Sequence, residues 1–532
     1  MWNDRISQPD VGVSRMESSN AVHVARGASY IAIQNLTANA AMVVSFAILA
    51  RLITTKDMGI LAVLNLVNGL CQTVATLALQ QAATRFVAEH LERNEKEAAA
   101  SVFYQAIRAT LLLAAPFALA VFFGATEFSI LLLGEQTYTT FFQLLALDII
   151  LYAGALPVLT STMLGLQRFK ETAVIGTVNA LLRQFLIIVA IVLLNDFVGL
   201  VIAWVVSDLI AASVYGWYIS RALGVPRFDF PLRKLLSFSW PLSISNTVAF
   251  ASSWFDRALL VIFVPLATLG VYNATITAFG VLASITTSVS TTLFPAYSVI
   301  QSSDESRLSL TGAVRMSSRY VSIIAVPIAF GLLATAKPAL ALFVGPAYVN
   351  GTEPLMILSG AFALTIVGGA ILSPVLLALG ETPAVSVITS VSVVLGLLAA
   401  SILLPFLGMT GAAVARGFSM ILTTVLMFVF LARKIRLELD LEAIWKSLVA
   451  GTIMAVIILA AQIPIYSKFL LPLYAVIGVL TYLALLRLLN TIKPSDMEFL
   501  RRYSGQRFGL VLRFLDRYLV TKGINDRARN SP

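Results

Sequence analysis

Three arginines and three aspartates interrupt long apolar stretches of this sequence. They are Arg183, Arg257, Arg416, Asp148, Asp208 and Asp256. An ionised group away from water is costly, so it is usually paired or placed where it takes part in function. Arginines in such surroundings could bind an anion such as a phosphate, and the aspartates could balance or gate their charge.

Arg183 and Asp208 lie on either side of a polar turn near Asn195 and Asp196. Each is about 12 residues from that turn, so in an antiparallel helical hairpin the two side chains reach the same depth. We therefore expect an ion pair. It either neutralises two charges and fixes helix packing, or leaves an arginine available to a substrate phosphate.

Arg257 and Arg416 lie near the ends of two other apolar stretches. Their side chains could extend to the membrane surface, or they could line a cationic cavity in which Asp148 and Asp256 balance or gate the charge. Amide side chains recur at helical spacing in several stretches. They are Asn35, Asn65, Asn68, Gln72, Asn246 and Asn273. Such faces either hold helices together or line a wet groove suited to sugar hydroxyls.

Residues for metal or nucleotide chemistry are scarce. Cys71 is the one cysteine, and His23 and His90 are the two histidines. This excludes internal disulfides and any cysteine or multi-histidine metal centre. No Gly-x-x-x-x-Gly-Lys-Ser/Thr sequence is present, so we do not expect the chain to hydrolyse ATP itself. We expect no catalytic residues, no cofactor and no nucleic-acid partner.

The chain that carries these residues is strongly apolar. Of its 532 residues, 58% are hydrophobic and 12% are charged. In soluble domains about a quarter of the residues are charged. A helix of ~20 residues crosses the hydrocarbon core, and lipid offers the backbone no hydrogen-bond partner. The sequence therefore predicts an all-α integral membrane protein with about fourteen transmembrane helices. We place them at 28–50, 58–80, 109–126, 140–163, 172–194, 197–219, 237–262, 270–296, 320–336, 355–379, 383–404, 411–432, 447–463 and 468–488.

Basic residues are distributed asymmetrically around these helices. Of the 37 lysines and arginines, 30 fall on the side of the termini and the even-numbered loops, and four on the other side. Cytoplasmic loops carry the excess of lysine and arginine, so both termini are predicted to be cytoplasmic. Near the C-terminus, apolar residues at helical spacing oppose Arg507, Arg513 and Arg517. This pattern is typical of an amphipathic helix on an anionic membrane surface.

The two halves of the chain repeat each other. A shift of 211 residues keeps them in register without gaps for about a hundred positions and matches Asn35 with Asn246, Gly69 with Gly280, Arg108 with Arg319 and Pro116 with Pro327. Matches at such residue types weaken the alternative of chance similarity between apolar segments. Each repeat holds six helices, and an even number gives both repeats the same orientation. We expect a pseudo-two-fold axis along the membrane normal, a pattern found in transporters.

The repeat and the charge pattern predict the domain organisation, with two helices that stand outside the repeat. The predicted parts are a cytoplasmic N-terminal tail (1–26), an N-lobe of helices 1–6 (27–222), a cytoplasmic linker (223–236), a C-lobe of helices 7–12 (237–432), helices 13–14 with the preceding loop (433–488), and a cytoplasmic basic amphipathic tail (489–532).

Four segments in order resemble the polysaccharide-transporter branch of the MOP superfamily, the family of O-antigen-type flippases. They are Ile48–Leu64 (ILARLITTKDMGILAVL), Phe255–Ile276 with its Asp256-Arg257 pair, Val326–Leu358 and Leu376–Ala384 (LLALGETPA). The likeness covers about residues 27 to 490. Each segment alone is weakly specific, and the four in order are strongly so.

This resemblance implies a flippase of the plasma membrane that turns an oligosaccharide linked to polyprenyl phosphate or pyrophosphate across the bilayer by alternating access. It implies two six-helix lobes around a central, cationic cavity, with membrane lipids and the glycosyltransferases or polymerase of the same pathway as partners. Such a protein is not an enzyme, and it serves the biosynthesis of a cell-surface polysaccharide or glycan.

Two other functions stay open from the residues, as does a purely structural role such as scaffolding a cell-envelope machine. A cation-coupled multidrug antiporter of the same superfamily would rely on acidic groups in the lobes, and the first apolar stretch, 28–50, has none. A membrane glycosyltransferase would need acidic residues in sizeable external loops, and the first external loop offers only Asp57.

Overall fold

The computed structural model describes residues 11–194, 197–225, 227–302, 306–464 and 466–491, and every regular element within these ranges is a helix. The α-helices are α1 Val11–Leu52, α2 Thr55–Thr76, α3 Leu79–Glu92, α4 Lys96–Phe123, α5 Ala125–Leu133, α6 Thr139–Asp148, α7 Leu156–Gly165, α8 Phe169–Leu194, α9 Val198–Leu223, α10 Leu232–Phe263, α11 Leu266–Ser302, α12 Ser306–Ala334, α13 Ala336–Phe343, α14 Thr352–Val367, α15 Ser373–Ala378, α16 Thr382–Lys434, α17 Leu441–Ala461 and α18 Leu471–Leu488. Short 3₁₀ turns occupy Gln136–Tyr138, Pro346–Gly351 and Lys468–Leu470, and π-helices occupy Ile149–Ala155 and Gly368–Leu372.

Twelve helical segments of the described residues are long and apolar enough to cross a membrane. Two places account for the difference from the predicted fourteen. The predicted span 237–262 lies in α10, whose serines, Asn246 and Arg257 leave it too polar to count among the twelve. The predicted spans 383–404 and 411–432 both lie in α16, which is interrupted at Gly408, where φ is 53°. The all-α membrane fold is confirmed, and the exact number of crossings stays a prediction.

Two helices extend beyond the membrane spans predicted for them. Helix α1 begins at Val11, although its membrane-spanning part begins at Ser29, close to the predicted residue 28, and α10 begins at Leu232. The second span was expected to run to residue 80, yet α2 ends at Thr76, and both Leu77 and Ala78 have left-handed backbone with φ of 42° and 58°.

The break after α2 exists because α3 packs as a separate helix. Leu79 and Val87 are fully buried, and Phe86 nearly so, in a core shared with α4, α7 and α9. Close packing of such side chains against three helices stabilises α3 as a separate helix and offsets the cost of two left-handed residues. The predicted amphipathic tail lies beyond residue 491 and so outside the described residues.

The chain forms two compact units, Met1–Phe250 and Ala251–Pro532. In the first unit, α3, α4, α7 and α9 share the core just described. In the second unit, α17 and α18 pack against α12. The buried Arg319 of α12 donates to Asp440 at 3.1 Å, and Asp440 caps the start of α17. The two helices predicted to stand outside the repeat are thereby fixed to α12.

Two widened turns interrupt the helices of the two units. The π-helix Ile149–Ala155 joins α6 to α7, and the π-helix Gly368–Leu372 joins α14 to α15. In each case a proline follows in the first turn of the next helix. The Thr110 hydroxyl donates to the Gly154 carbonyl at 2.6 Å. A π-turn is rare and is frequently found at functional sites.

Candidate functional site

Asp256 is the centre of a buried polar cluster in the second unit. Its side chain is fully buried on α10, and Arg416 of α16 donates to Oδ2 at 2.9 Å. The Tyr272 hydroxyl of α11 donates to the same oxygen at 2.7 Å, and the backbone N–H of Arg257 donates to Oδ1 at 2.9 Å. Both carboxylate oxygens are therefore bonded, as a buried charge requires. Asp256, Arg257, Tyr272 and Arg416 are called the C-cluster below.

Close packing of α16 holds Arg416 at this depth. A Cβ added at the neighbouring Gly417 would lie 3.1 Å from the Ala361 Cβ, and one added at Gly396 would lie 2.9 Å from the Ser419 Cβ. Gly417 thus lets α16 approach α14 closely, and Gly396 lets the two parts of α16 on either side of Gly408 approach each other. The guanidinium of Arg416 reaches Asp256 although the two residues are 160 positions apart.

Arg257 differs from Arg416 because it has no carboxylate of its own. Its Nη2 donates to the Ser253 carbonyl at 2.6 Å, and its guanidinium lies over the Trp254 ring, 3.6 Å from the centroid. Its Nε is buried and makes no hydrogen bond with any described residue. The C-cluster therefore holds two guanidinium groups and one carboxylate, and Arg257 retains a donor for a further acceptor.

A stripe of hydroxyl groups runs along α11. Its members are Ser284, Thr287, Ser288 and Thr291, all of them exposed and spaced to share one helical face. Each hydroxyl donates to a carbonyl of its own helix. The donors are thus satisfied, while oxygen lone pairs stay open to a ligand. We call these four residues the hydroxyl stripe.

The first unit contains a second buried cluster, around Asp208 of α9. Arg183 of α8 donates to Asp208 Oδ2 at 3.1 Å, so the ion pair expected from the hairpin spacing is present. Asn179 donates to Asp208 at 3.4 Å. The Arg183 guanidinium also lies 4.8 Å from the Trp204 ring centroid and 5.5 Å from that of Tyr152. These contacts hold Arg183 firmly between helices.

Asp148 adds a second carboxylate to this cluster. Its side chain is fully buried at the end of α6, next to the π-helix. Asn68 of α2 donates to Oδ2 at 2.7 Å, and Oδ1 has no hydrogen-bond partner among the described residues. Asp148 also interacts electrostatically with Arg183 and Asp208. The N-cluster, defined as Asn68, Asp148, Arg183 and Asp208, thus holds two carboxylates and one guanidinium, the reverse of the C-cluster.

The other predicted site residues are not part of these clusters. Asn35 is exposed on α1, and Asn65 donates to the Leu61 carbonyl of its own helix at 2.9 Å. Gln72 donates weakly to the Tyr152 carbonyl, at 3.5 Å. Asn246 is half-buried on α10, and Asn273 is buried on α11 beside Tyr272.

Sequence reasoning missed the tyrosine and tryptophan residues that complete the clusters. Tyr272, Trp254 and Trp204 lie in apolar stretches where an aromatic residue is most often part of the core, so their types gave no signal. Asn179 could have been found, since it precedes Arg183 by four positions and so shares its helical face.

Comparison with known proteins bears on this arrangement. The model of a family described as "Polysaccharide biosynthesis protein" matches residues 24–301. The chain belongs to this polysaccharide biosynthesis protein family. The match spans more than half of the chain, from α1 through the whole first unit and into the second.

A curated relative in Haloferax volcanii is named "Probable low-salt glycan biosynthesis flippase Agl15". It is 26% identical over 286 residues, which are 53% of this chain and 60% of the relative. The polysaccharide biosynthesis family member thus matches somewhat more than half of that relative's length.

Solved structures show the same fold. The lipid II flippase MurJ in an inward closed conformation aligns with a TM-score of 0.68 at 12% identity, over 85% of this chain and 97% of MurJ. An inward-facing multidrug resistance MATE transporter of the MOP superfamily aligns with a TM-score of 0.57 at 14% identity, over 76% and 94%. This family member therefore has the MOP transporter fold, and the resemblance to oligosaccharide flippases is confirmed. The relatives are named as flippases and transporters, in agreement with the expectation that the chain is not an enzyme.

Proposed function

We propose that this chain flips an oligosaccharide, joined to its lipid by a phosphate or pyrophosphate, across the plasma membrane by alternating access. The observation that carries the proposal is Arg257, a guanidinium with no carboxylate of its own and with a buried, unbonded Nε. A second positive charge beside Arg416 is costly in an apolar lobe unless an anion offsets it. A guanidinium binds a phosphate with two parallel hydrogen bonds.

The hydroxyl stripe supplies the complementary surface for the sugars. Lipid tails offer no hydrogen-bond partner to hydroxyl side chains. The oxygen lone pairs of Ser284, Thr287, Ser288 and Thr291 can instead accept hydrogen bonds from sugar hydroxyls. In this proposal the C-cluster binds the phosphate, and the glycan lies along α11. The stripe and Tyr272 belong to the same helix.

The family and the curated relative support the same proposed function. The family is described by polysaccharide biosynthesis, and the curated relative is named as a glycan flippase. We propose that both termini are cytoplasmic, since the basic loops lie on that side, and that the glycosyltransferases or polymerase of the pathway are partners. The glycan export that follows draws its energy from a source other than ATP hydrolysis by this chain.

Arg257 substitutions test the proposal. Arg257→Ala should abolish export of the lipid-linked glycan while the protein still folds and inserts. Arg257→Lys should keep part of the activity, because a point charge attracts phosphate but lacks the planar fork. The matched control is Arg433→Ala, which removes an exposed arginine from the last turn of α16 and should export normally. Normal export by Arg257→Ala would contradict the assignment.

One observation favours a second function, cation-coupled drug antiport. The N-cluster carries one carboxylate more than it has guanidinium groups, and Asp148 Oδ1 is unbonded among the described residues. A cationic substrate or ion would match that surplus. If Asp148→Asn stops efflux of a cationic drug and glycan export continues in cells that lack this protein, the antiporter replaces the flippase.

A further inference from the structure

A small cavity of about 200 Å³ opens where α7 and α9 end in the first unit. It is lined by two arginines, two aromatic residues and an apolar floor. These are Arg168, Arg221, Trp217, Tyr218, Met163 and Leu166. The cavity belongs to neither the N-cluster nor the C-cluster. Its composition combines positive charge with aromatic and apolar surface.

Arg221 carries a charge that no described carboxylate balances. Its guanidinium lies over the Trp217 ring, 4.9 Å from the centroid, and no described acid lies within ion-pair distance. Arg168, across the cavity, pairs with Glu171 at 3.0 Å. Two guanidinium groups thus line one cavity, and one of them, that of Arg168, is paired with a described carboxylate. An anion in the cavity would relieve their repulsion and accept hydrogen bonds from both.

The surroundings indicate an anion attached to a lipid. Ile210, Val214 and Trp217 are exposed on α9 and precede Arg221 at positions that share its helical face. They form an apolar track that runs from the cavity along α9. Tryptophan and tyrosine are enriched where membrane meets water, so Trp217 and Tyr218 indicate that the cavity lies at headgroup level.

We propose that Arg221 and Arg168 bind the phosphate of a membrane lipid whose hydrocarbon chain lies on the track of Trp217, Val214 and Ile210. Two sources share this chemistry, an anionic bilayer phospholipid and the polyprenyl phosphate that carries a glycan. In either case the site is distinct from the C-cluster and holds its ligand at the membrane surface. The proposal does not depend on the function assigned to Arg257.

Native mass spectrometry of the purified full-length protein tests the site. Phosphatidylglycerol should remain bound where phosphatidylcholine does not, and Arg221→Gln should weaken its binding about tenfold, as expected for loss of one charge-assisted contact. Glu171→Gln should strengthen binding, because it frees Arg168. The matched control is Arg233→Gln, which removes an exposed arginine from the start of α10 and should leave binding unchanged.

Competition identifies the lipid. If a polyprenyl phosphate displaces phosphatidylglycerol from the wild type but not from the residual site of Arg221→Gln, the cavity receives the glycan carrier. If it fails to compete while phosphatidylglycerol binding still depends on Arg221, the ligand is a bilayer phospholipid. Equal phosphatidylglycerol binding by Arg221→Gln and Arg233→Gln would overturn the proposal. So would equal retention of phosphatidylcholine and phosphatidylglycerol by the wild type.

Discussion

The Arg183–Asp208 ion pair can be tested by removing its charges one at a time and together. At 3.1 Å, two unit charges attract each other by about 5 kcal/mol at an effective dielectric constant of about 20. Breaking a buried pair costs about 3–5 kcal/mol, since the remaining charge is left uncompensated. Asp208→Asn should therefore destabilise the protein strongly.

The groups around Arg183 should keep the cost of removing Asp208 at the lower end of that range. Without Asp208, Arg183 would still interact with Asp148 and would still lie over the Trp204 and Tyr152 rings. We expect Asp208→Asn to lower the free energy of unfolding by about 3 kcal/mol. The double variant Arg183→Gln with Asp208→Asn removes both charges and should recover about 2 kcal/mol of that loss, a coupling typical of contacting residues.

Unfolding by sodium dodecyl sulfate in mixed micelles, followed by tryptophan fluorescence, measures these differences. The control is the double-mutant cycle of Arg168 and Glu171, a pair of similar length at 3.0 Å that is far more exposed. Its coupling should stay below about 1 kcal/mol. If the Arg183 and Asp208 substitutions are additive, the two residues are not energetic partners and the reasoning from hairpin spacing is refuted.

Two further predictions concern topology and packing. Cysteines at Glu135 and Thr352 should react with an impermeant thiol reagent from outside, and one at Asn94 should not; labelling in the opposite pattern would reverse the orientation. Gly368→Ala should destabilise the protein by about 1–3 kcal/mol, because the new Cβ would clash with the Thr424 side chain. Gly280→Ala, whose Cβ would meet nothing within 4 Å, is the matched control, and equal melting temperatures of the two variants would contradict the packing.

The parts of the site that sequence could predict are those fixed by local geometry. Arg183 and Asp208 lie at equal distances from one turn, and a helical hairpin converts equal distance into equal depth. The helical face shared by Asn65, Asn68 and Gln72 could be recognised in the sequence because a helix repeats every 3.6 residues. Both inferences need only the geometry of one helix or of one hairpin.

Contacts across long sequence separations could not be predicted in this way. Arg416 and Asp256 are 160 positions apart, and their pairing depends on how closely α16 packs at Gly396 and Gly417. The partner of Asp148 was also missed, since α2 and α6 are not neighbours in sequence. The turn at Leu77 and Ala78 had no glycine or proline to mark it, because burial of α3 rather than local preference causes it.

The wide turn of the π-helix beside Asp148 could shift its position along the helix. A π-turn accommodates one residue more than an α-turn, so moving it past a residue rotates that residue by about 100° and shifts it by about 1.5 Å along the axis. If the wide turn moved toward α6, Asp148 would turn away from the Asn68 amide that now bonds it, while α7 beyond Pro157 kept its place. Asp148 alone could then change its hydrogen-bond partners without a hinge motion of the helices. The π-helix Gly368–Leu372 would allow the same kind of shift in the second unit.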